Sequence, residues 1–223
     1  MRRFNRKLLR QLFYPGWFYF LSKKLSPISK KYGMNRGTPV DRHYIGLFLE
    51  KYKNDIRGAC LEIRDNRYGR QYADRIDKLD ILDIDADNQE ANLYGDLRKL
   101  DKIPDNVYDC IILTQVLQYI DDISSALKEC YRVLKPGGVL LLTVPAMSRL
   151  DPKAPEYWRF TADGLASLLD PIFAKEKTHI KVYGNVLTGL GFWVGQATEE
   201  FSAKELDYQD PMFPALITAR VIK

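Results

Sequence analysis

VYDCIILTQVLQYIDDISSALKECYRVLKPGGVLLLTVP, residues 107–145, decides the fold. Two apolar runs, Val107 to Gln115 and Val139 to Pro145, enclose a segment whose apolar residues recur at helical spacing. Asp121 or Asp122 is placed to cap the start of that helix, and a Pro-Gly-Gly sequence follows its end. The stretch therefore predicts a strand, a helix and a second strand parallel to the first.

The same alternation extends in both directions along the chain. A helix is expected from Asp41, which is placed to cap it, and another after Thr161. Strands alternating with helices predict an α/β fold with a seven-stranded, mostly parallel sheet that an antiparallel edge strand closes. The five further strands are expected at Gly58–Ile63, Lys78–Asp85, Ala91–Leu97, Thr178–Asn185 and Pro214–Lys223.

The chain divides into a basic arm, residues 1–37, and one domain, residues 38–223. Residues 1–40 hold ten of the 34 lysines and arginines and none of the 29 acids, so the rest of the chain is net acidic. Within the arm, Leu12 to Leu21 is apolar and aromatic. This composition predicts contact of residues 1–33 with an anionic membrane surface, although the aromatics would also suit packing on the domain. Nucleic acid is disfavoured as a partner, because no stacking motif accompanies the charge.

No apolar run approaches the length of a membrane-spanning helix, and the N-terminal run lacks the small-residue cleavage site of a secretory signal. The three cysteines, Cys60, Cys110 and Cys130, have neither zinc-ligand nor disulfide-framework spacing. We therefore expect a cytoplasmic protein with reduced thiols and no metal, peripheral on the inner membrane if the arm binds lipid.

Polar residues follow the apolar runs at the positions where parallel strands end. In such a sheet the ligand lies beyond the carboxyl ends of the strands. Asp85 follows Glu62 by about the spacing at which an acid binds a ribose, and Ile84 and Leu97 offer apolar surface for a base. Each acid alone would also suit a helix cap or a solvated loop. The predicted binding residues are Glu62, Arg64, Asp65, Ile84, Asp85, Asp96, Leu97, Thr114 and Gln115.

These motifs carry a family resemblance. The segments LEIRDNRY, LDID, YGDL, YDCIILTQVLQYIDD and YRVLKPGGVLLLTVP resemble the successive motifs of class I S-adenosylmethionine-dependent methyltransferases, a Rossmann-like family. The segments GTPVDRHYIGLFL, EYWRFTADGL, VYGNVL and ELDYQDP resemble bacterial methyltransferase-like proteins encoded with glycosyltransferases. The resemblance implies S-adenosyl-L-methionine as cofactor and O-methylation of a glycan or lipid-linked glycan precursor in polysaccharide biosynthesis.

By that resemblance, Glu62 contacts the amino-acid end of the cofactor through the first loop. Asp85 binds the ribose and Asp96 the adenine. Thr114 and Gln115 line the floor beneath the sulfonium.

The first loop departs from the family pattern. Arg64-Asp65-Asn66-Arg67-Tyr68 stands where the family has a glycine-rich turn. Asp65 and Asn66 tolerate left-handed backbone, so a tight turn remains feasible. Arg64 either pairs with the methionyl carboxylate or fills the pocket. The second possibility predicts a catalytically inactive scaffold module in polysaccharide assembly.

Catalytic residues are expected after the fifth strand and in the first helix. Tyr157 and Trp158, with Phe160, would hold the sulfonium by cation–π attraction or pack as a lid. His43 is a candidate general base for an alcohol acceptor. The alternatives Asp41, Tyr44 and Asp151 stay open. A nucleic-acid methyltransferase that uses the arm for phosphate contacts is a weaker hypothesis.

Overall fold

A seven-stranded β-sheet runs through the part of the chain that the computed structural model describes, residues 25–223. The strands lie in the order β3-β2-β1-β4-β5-β7-β6. Strands β1 to β5 are mutually parallel, whereas β7 is antiparallel to both of its neighbours. The strands are β1 Gly58–Ile63, β2 Ile76–Asp83, β3 Leu93–Tyr94, β4 Tyr108–Thr114, β5 Leu134–Pro145, β6 Thr178–Tyr183 and β7 Leu216–Ile222.

Helices cover both faces of the sheet, so the described domain has three layers. The α-helices are α1 Val40–Lys51, α2 Ile123–Val133, α3 Ala162–Leu169, α4 Val186–Val194 and α5 Ala203–Asp207. Short 3-10 turns occur at Gly69–Tyr72, Leu117–Tyr119, Lys175–Lys177 and Thr198–Glu200.

Two hydrophobic cores result from the alternation of side chains along each strand. On β4, Ile111 and Leu113 face α2 and α3, while Cys110 and Ile112 face α1 and α4. All four side chains are fully buried. A strand buried on both faces reads as a continuous apolar run, which is why the sequence located β4 to within one residue at each end.

The predicted fold class is confirmed, and the antiparallel pairings, β5–β7 and β7–β6, lie at one side of the sheet. The strand at that edge is β6, and β7 lies between β5 and β6. Strand β5 begins five residues before the predicted Val139, because Leu134 already pairs with Tyr108 ahead of a register shift.

Strands β2 and β3 differ from the prediction because side chains replace their ladder hydrogen bonds. Strand β2 ends at Asp83 and not at Asp85, since the Asp85 N–H turns back to donate to Asp83 Oδ1 (3.1 Å). Strand β3 is two residues long, whereas Ala91–Leu97 was expected. The Ile81 N–H donates to the side-chain oxygen of Asn92 (2.7 Å) and not to a strand carbonyl.

The helix caps are confirmed in two places and wrong in a third. The side chain of Asp122 accepts from the Ser125 N–H, and that of Thr161 accepts from the Gly164 N–H. Helix α1, however, begins at Val40 after Pro39, and Asp41 makes no capping hydrogen bond. Proline fixes the entry angle of the chain, which leaves the Asp41 side chain inside the first turn.

The described part of the arm lies along helix α4. The N–H groups of Ile28 and Ser29 both donate to Val194 O, at 2.8 and 3.1 Å. The predicted aromatic segment Leu12–Leu21 lies outside the described residues. Within residues 25–223 no helix combines the length and apolarity that crossing a bilayer requires.

Candidate functional site

A cavity of about 280 Å³ lies at the carboxyl ends of β1 and β4, beneath the start of α1. Between these two strands the order of the sheet reverses, and open α/β sheets bind ligands at that point. The cavity wall includes four of the predicted binding residues, Arg64, Asp65, Thr114 and Gln115. It also includes Tyr32, Met34, Asp41, Arg42, Arg67, Gln118, Tyr119, Ser148, Asp151, Glu156 and Phe192.

The first loop makes its turn without glycine at the position that follows β1. Arg64 adopts a left-handed conformation (φ +79°), which costs a non-glycine residue about 1 kcal/mol. Its N–H donates to Leu82 O (2.8 Å). The Asn88 side-chain amide donates both to Arg64 O and to Asp83 Oδ2, at 2.5 and 2.6 Å. These hydrogen bonds hold the loop against the end of β2.

Glu62 supports this loop from below and does not line the cavity. Its carboxylate is buried and accepts from the N–H groups of Tyr68 (3.0 Å) and Gly69 (2.7 Å). Gly69 packs closely here: a Cβ at that position would lie 2.8 Å from the Leu79 side chain and 2.9 Å from Glu62 Oε2, and both side chains would have to shift. Burial raises the pKa of Glu62 to about 7, although both backbone donors act in the opposite direction.

The acid at the end of β2 is Asp83, which was not among the predicted binding residues. Asp83 is half-buried and is linked through Asn88 to the first loop, whereas Asp85 is exposed and its carboxylate accepts from the Asp87 N–H (3.0 Å). Ile84 is 71% exposed. The position of the strand end could have distinguished the two acids. Asp83 and Asp85 alternate along the chain, and the hydrogen-bond ladder of β2 ends at Asp83.

Asp96 and Leu97 follow β3 and lie outside the cavity wall. The Asp96 carboxylate holds the guanidinium of Arg98, which also contacts Asp121. Arg98 lowers the pKa of Asp96, and the acid is therefore ionised and already paired. Leu97 is buried in the core on the α2 side of the sheet.

The cavity wall also contains three buried side-chain oxygens that have no hydrogen-bond partner in the described structure. They are Oδ1 of Asp41, Oε1 of Gln115 and Oε1 of Gln118. Gln115 has a left-handed backbone (φ +56°), and its carbonyl accepts from the Gln118 side-chain amide (3.0 Å). Buried acceptors without donors are costly in a folded protein, so their grouping indicates a ligand that brings donors.

The predicted catalytic residues lie outside the cavity wall. His43 is on α1, and the acids that influence its imidazole are Asp207 and Glu199; burial lowers its pKa. Tyr157 and Trp158 are about half-exposed, and Trp158 Nε1 donates to Ile120 O (2.8 Å).

Two of the alternative bases, Asp41 and Asp151, do line the cavity. Burial raises the pKa of Asp41. The third alternative, Tyr44, is fully buried in the core, where its hydroxyl lies 3.2 Å from Leu206 O.

Tyr32 and Phe192, an aromatic pair that was not predicted from the sequence, line the cavity and form what we call its roof. Tyr32 stacks on Phe192 with ring centroids 6.2 Å apart, and the Arg149 guanidinium lies 3.8 Å from the Tyr32 ring centroid. No periodic signal marks Tyr32, which comes from the arm. Among residues 25–223, no cluster of histidine, cysteine, aspartate and glutamate is arranged to bind a metal ion.

Comparison with known proteins locates the likeness in the centre of the chain. Residues 70–142 match the model of a family described as a methyltransferase domain. Malonyl-(acyl-carrier protein) O-methyltransferase from Serratia marcescens is 34% identical over 91 residues, which are 38% of this chain and 35% of that protein. The ubiquinone/menaquinone biosynthesis C-methyltransferase UbiE from Pasteurella multocida is 43% identical over 54 residues, 24% of this chain and 20% of that protein. The matched regions thus span about a third or less of these relatives.

The fold is similar over a longer part of the chain. A SAM-dependent methyltransferase from Archaeoglobus fulgidus superposes with a TM-score of 0.56 at 16% identity, covering 82% of this chain and 94% of that one. At this identity the likeness shows a shared fold, a Rossmann-like α/β domain. The match over residues 70–142 agrees with the predicted resemblance to methyltransferases in that segment. The narrower resemblance to proteins encoded with glycosyltransferases stays a prediction.

The buried carboxylate of Glu62 gives a first prediction. Because its pKa is about 7 in the folded protein and ordinarily 4.5, the folded state keeps a proton that the unfolded state releases between these pH values. The contribution of Glu62 to the free energy of unfolding therefore falls by about 3 kcal/mol as pH rises from 4.5 to 7. Urea unfolding of wild type and Glu62→Gln across this range measures the difference.

The matched control is Glu129→Gln, because the Arg132 side chain lowers the pKa of Glu129. The stabilisation that Glu129 provides is present above pH 4.5 and is lost as pH falls below it, the opposite trend. A wild-type minus Glu62→Gln difference that does not change with pH would contradict the assignment.

Proposed function

We propose that this protein is an S-adenosylmethionine-dependent methyltransferase whose cofactor lies in the cavity between β1 and β4. The supporting observation is the group of buried, unpaired acceptor oxygens at the point where strand order reverses. The family match over residues 70–142 supports the same chemistry. The sulfonium of the bound cofactor supplies an electrophilic methyl group.

The residues around the cavity suit the parts of this cofactor. Asp83, at the end of β2 and joined through Asn88 to the cavity residue Arg64, is our candidate acceptor for the ribose hydroxyls in place of the exposed Asp85. Arg64 lines the cavity and its guanidinium has no hydrogen-bond partner among residues 25–223, so it is suited to a carboxylate. Thr114 and Gln115 form the floor. Ile84, Asp96 and Leu97 remain proposals for the adenine side.

Asp41 is the strongest candidate for the general base. Its Oδ1 is buried, unpartnered and part of the cavity wall, and burial raises its pKa, which increases its proton affinity. It would take the proton of an acceptor hydroxyl as the oxygen bonds to the methyl carbon and the carbon–sulfur bond breaks. Asp151 is the second candidate, because it lies on the same wall. His43 lies outside the wall and is the weakest of the three.

For the acceptor we propose a glycan or its lipid-linked precursor, methylated on oxygen at the cytoplasmic face of a membrane. The segments that resemble proteins encoded with glycosyltransferases support the glycan, and the basic aromatic arm supports the lipid. The two relatives carry an O- and a C-methyltransferase name, so the matched region is compatible with different acceptor atoms. The inactive scaffold is the second candidate function, which the left-handed Arg64 favours.

Calorimetric titration with S-adenosylmethionine tests the cofactor site. We expect binding to wild type at micromolar affinity, weakened about tenfold or more in Asp83→Asn, because a carboxylate that accepts two hydroxyl protons loses half of its acceptors. Asp85→Asn is the matched control, two residues away and exposed, and should bind within about twofold of wild type. A larger loss of affinity in Asp85→Asn than in Asp83→Asn would assign the ribose to Asp85. No heat of binding with a folded wild-type sample would contradict the proposal.

Arg64→Gly separates the enzyme from the scaffold. If Arg64 pairs with the methionyl carboxylate, the glycine variant binds the cofactor about tenfold or more weakly, although it relieves the left-handed strain. Arg64→Lys, which keeps the charge, should lose less. Tighter binding by the glycine variant would mean that the arginine obstructs the cavity, and would favour the scaffold.

A further inference from the structure

The end of helix α4 and the chain that enters beside it form a basic, apolar surface. Leu25 is fully exposed, and Trp193 is 53% exposed. Lys30 and Lys31 are exposed on the same segment, and no acid occurs between residues 25 and 40. We refer to Leu25, Lys30, Lys31 and Trp193 as the α4 surface.

Backbone contacts fix the entering chain against the helix. Val194 O accepts from both Ile28 and Ser29, one residue after Trp193. At Gly195 (φ +82°) a Cβ would lie 2.4 Å from Ser29 O, and at Gly33 (φ +87°) another would lie 2.6 Å from Gln196 O. Only glycine permits both approaches, so this crossing holds the segment that carries the two lysines against the end of the helix that carries Trp193.

We infer that the α4 surface docks the folded domain on an anionic lipid bilayer. Tryptophan prefers the headgroup level of a membrane, and lysine is attracted to anionic lipid. The described chain begins at this surface, and the residues that precede it add seven lysines and arginines, no acid and the aromatic segment Leu12–Leu21. Stable peripheral binding requires an apolar and an electrostatic contribution together, and this end of the molecule supplies both.

The α4 surface also adjoins the cavity. Tyr32 directly follows Lys31, lines the cavity and stacks on Phe192, the neighbour of Trp193. Docking through this surface would therefore bring the roof of the cavity close to the headgroups, within reach of a lipid-linked acceptor. The membrane contact itself does not depend on the proposed methyl transfer, since lipid binding needs no cofactor.

Vesicle sedimentation of the full-length chain tests the inference. We expect binding to phosphatidylcholine vesicles that contain about one-third phosphatidylglycerol, little binding to phosphatidylcholine alone, and release at high salt. Lys30→Glu with Lys31→Glu should weaken binding about tenfold or more, and Trp193→Ala about fivefold.

Matched controls lie elsewhere on the domain. Lys175→Glu with Lys177→Glu makes the same charge change beside β6, and Tyr94→Ala removes a 44% exposed aromatic on β3, at the opposite edge of the sheet. Both should leave vesicle binding within about twofold of wild type. Equal losses in these controls, or no loss in Trp193→Ala, would overturn the inference. The inference would also be overturned if the protein bound single-stranded RNA as tightly as vesicles and Trp193→Ala left that binding unchanged. Such binding would require only charge.

Discussion

A buried carboxylate sets the shape of the loop on which the candidate site depends. Glu62 accepts the N–H groups of Tyr68 and Gly69, so the chain after β1 must fold back over the strand end before it enters β2. Related loops achieve a close approach to their ligand with glycine, whereas here the left-handed turn falls on Arg64. The loop is held from below by Glu62 and from the side by Asn88, and the arginine side chain is left free to line the cavity.

In this arrangement the hydrogen-bonding groups on the cavity wall, more than its volume, determine which ligand can bind. The buried oxygens of Asp41, Gln115 and Gln118 lack donors, and the Arg64 guanidinium on the cavity wall can donate to an anionic group. S-adenosylmethionine offers both: its ammonium group and ribose hydroxyls are donors, and its carboxylate is an acceptor. The same polarity would be an unexplained cost in a scaffold that binds nothing, since unsatisfied buried acceptors destabilise the folded state.

The sequence predicted the sheet well because its central strands are buried on both faces, and β1 and β4 could be read from apolar runs alone. It failed where side chains replace the backbone ladder, as Asn92 does beside β3, because such a substitution leaves no periodic pattern. The end of β2 at Asp83, two residues before the predicted Asp85, has the same origin. Tyr32 and Gln118 reach the cavity through tertiary packing of the arm and of a single 3-10 turn, and short-range spacing carries no information about either.

The central claim is that the cavity between β1 and β4 holds an adenosyl cofactor. A crystal structure of the full-length protein soaked with S-adenosylhomocysteine tests it most directly. We predict density with the ribose at Asp83, the carboxylate at Arg64 and the sulfur above Thr114 and Gln115. Density at another place on the protein, or a cavity closed by the Arg64 side chain with no ligand bound, would contradict it.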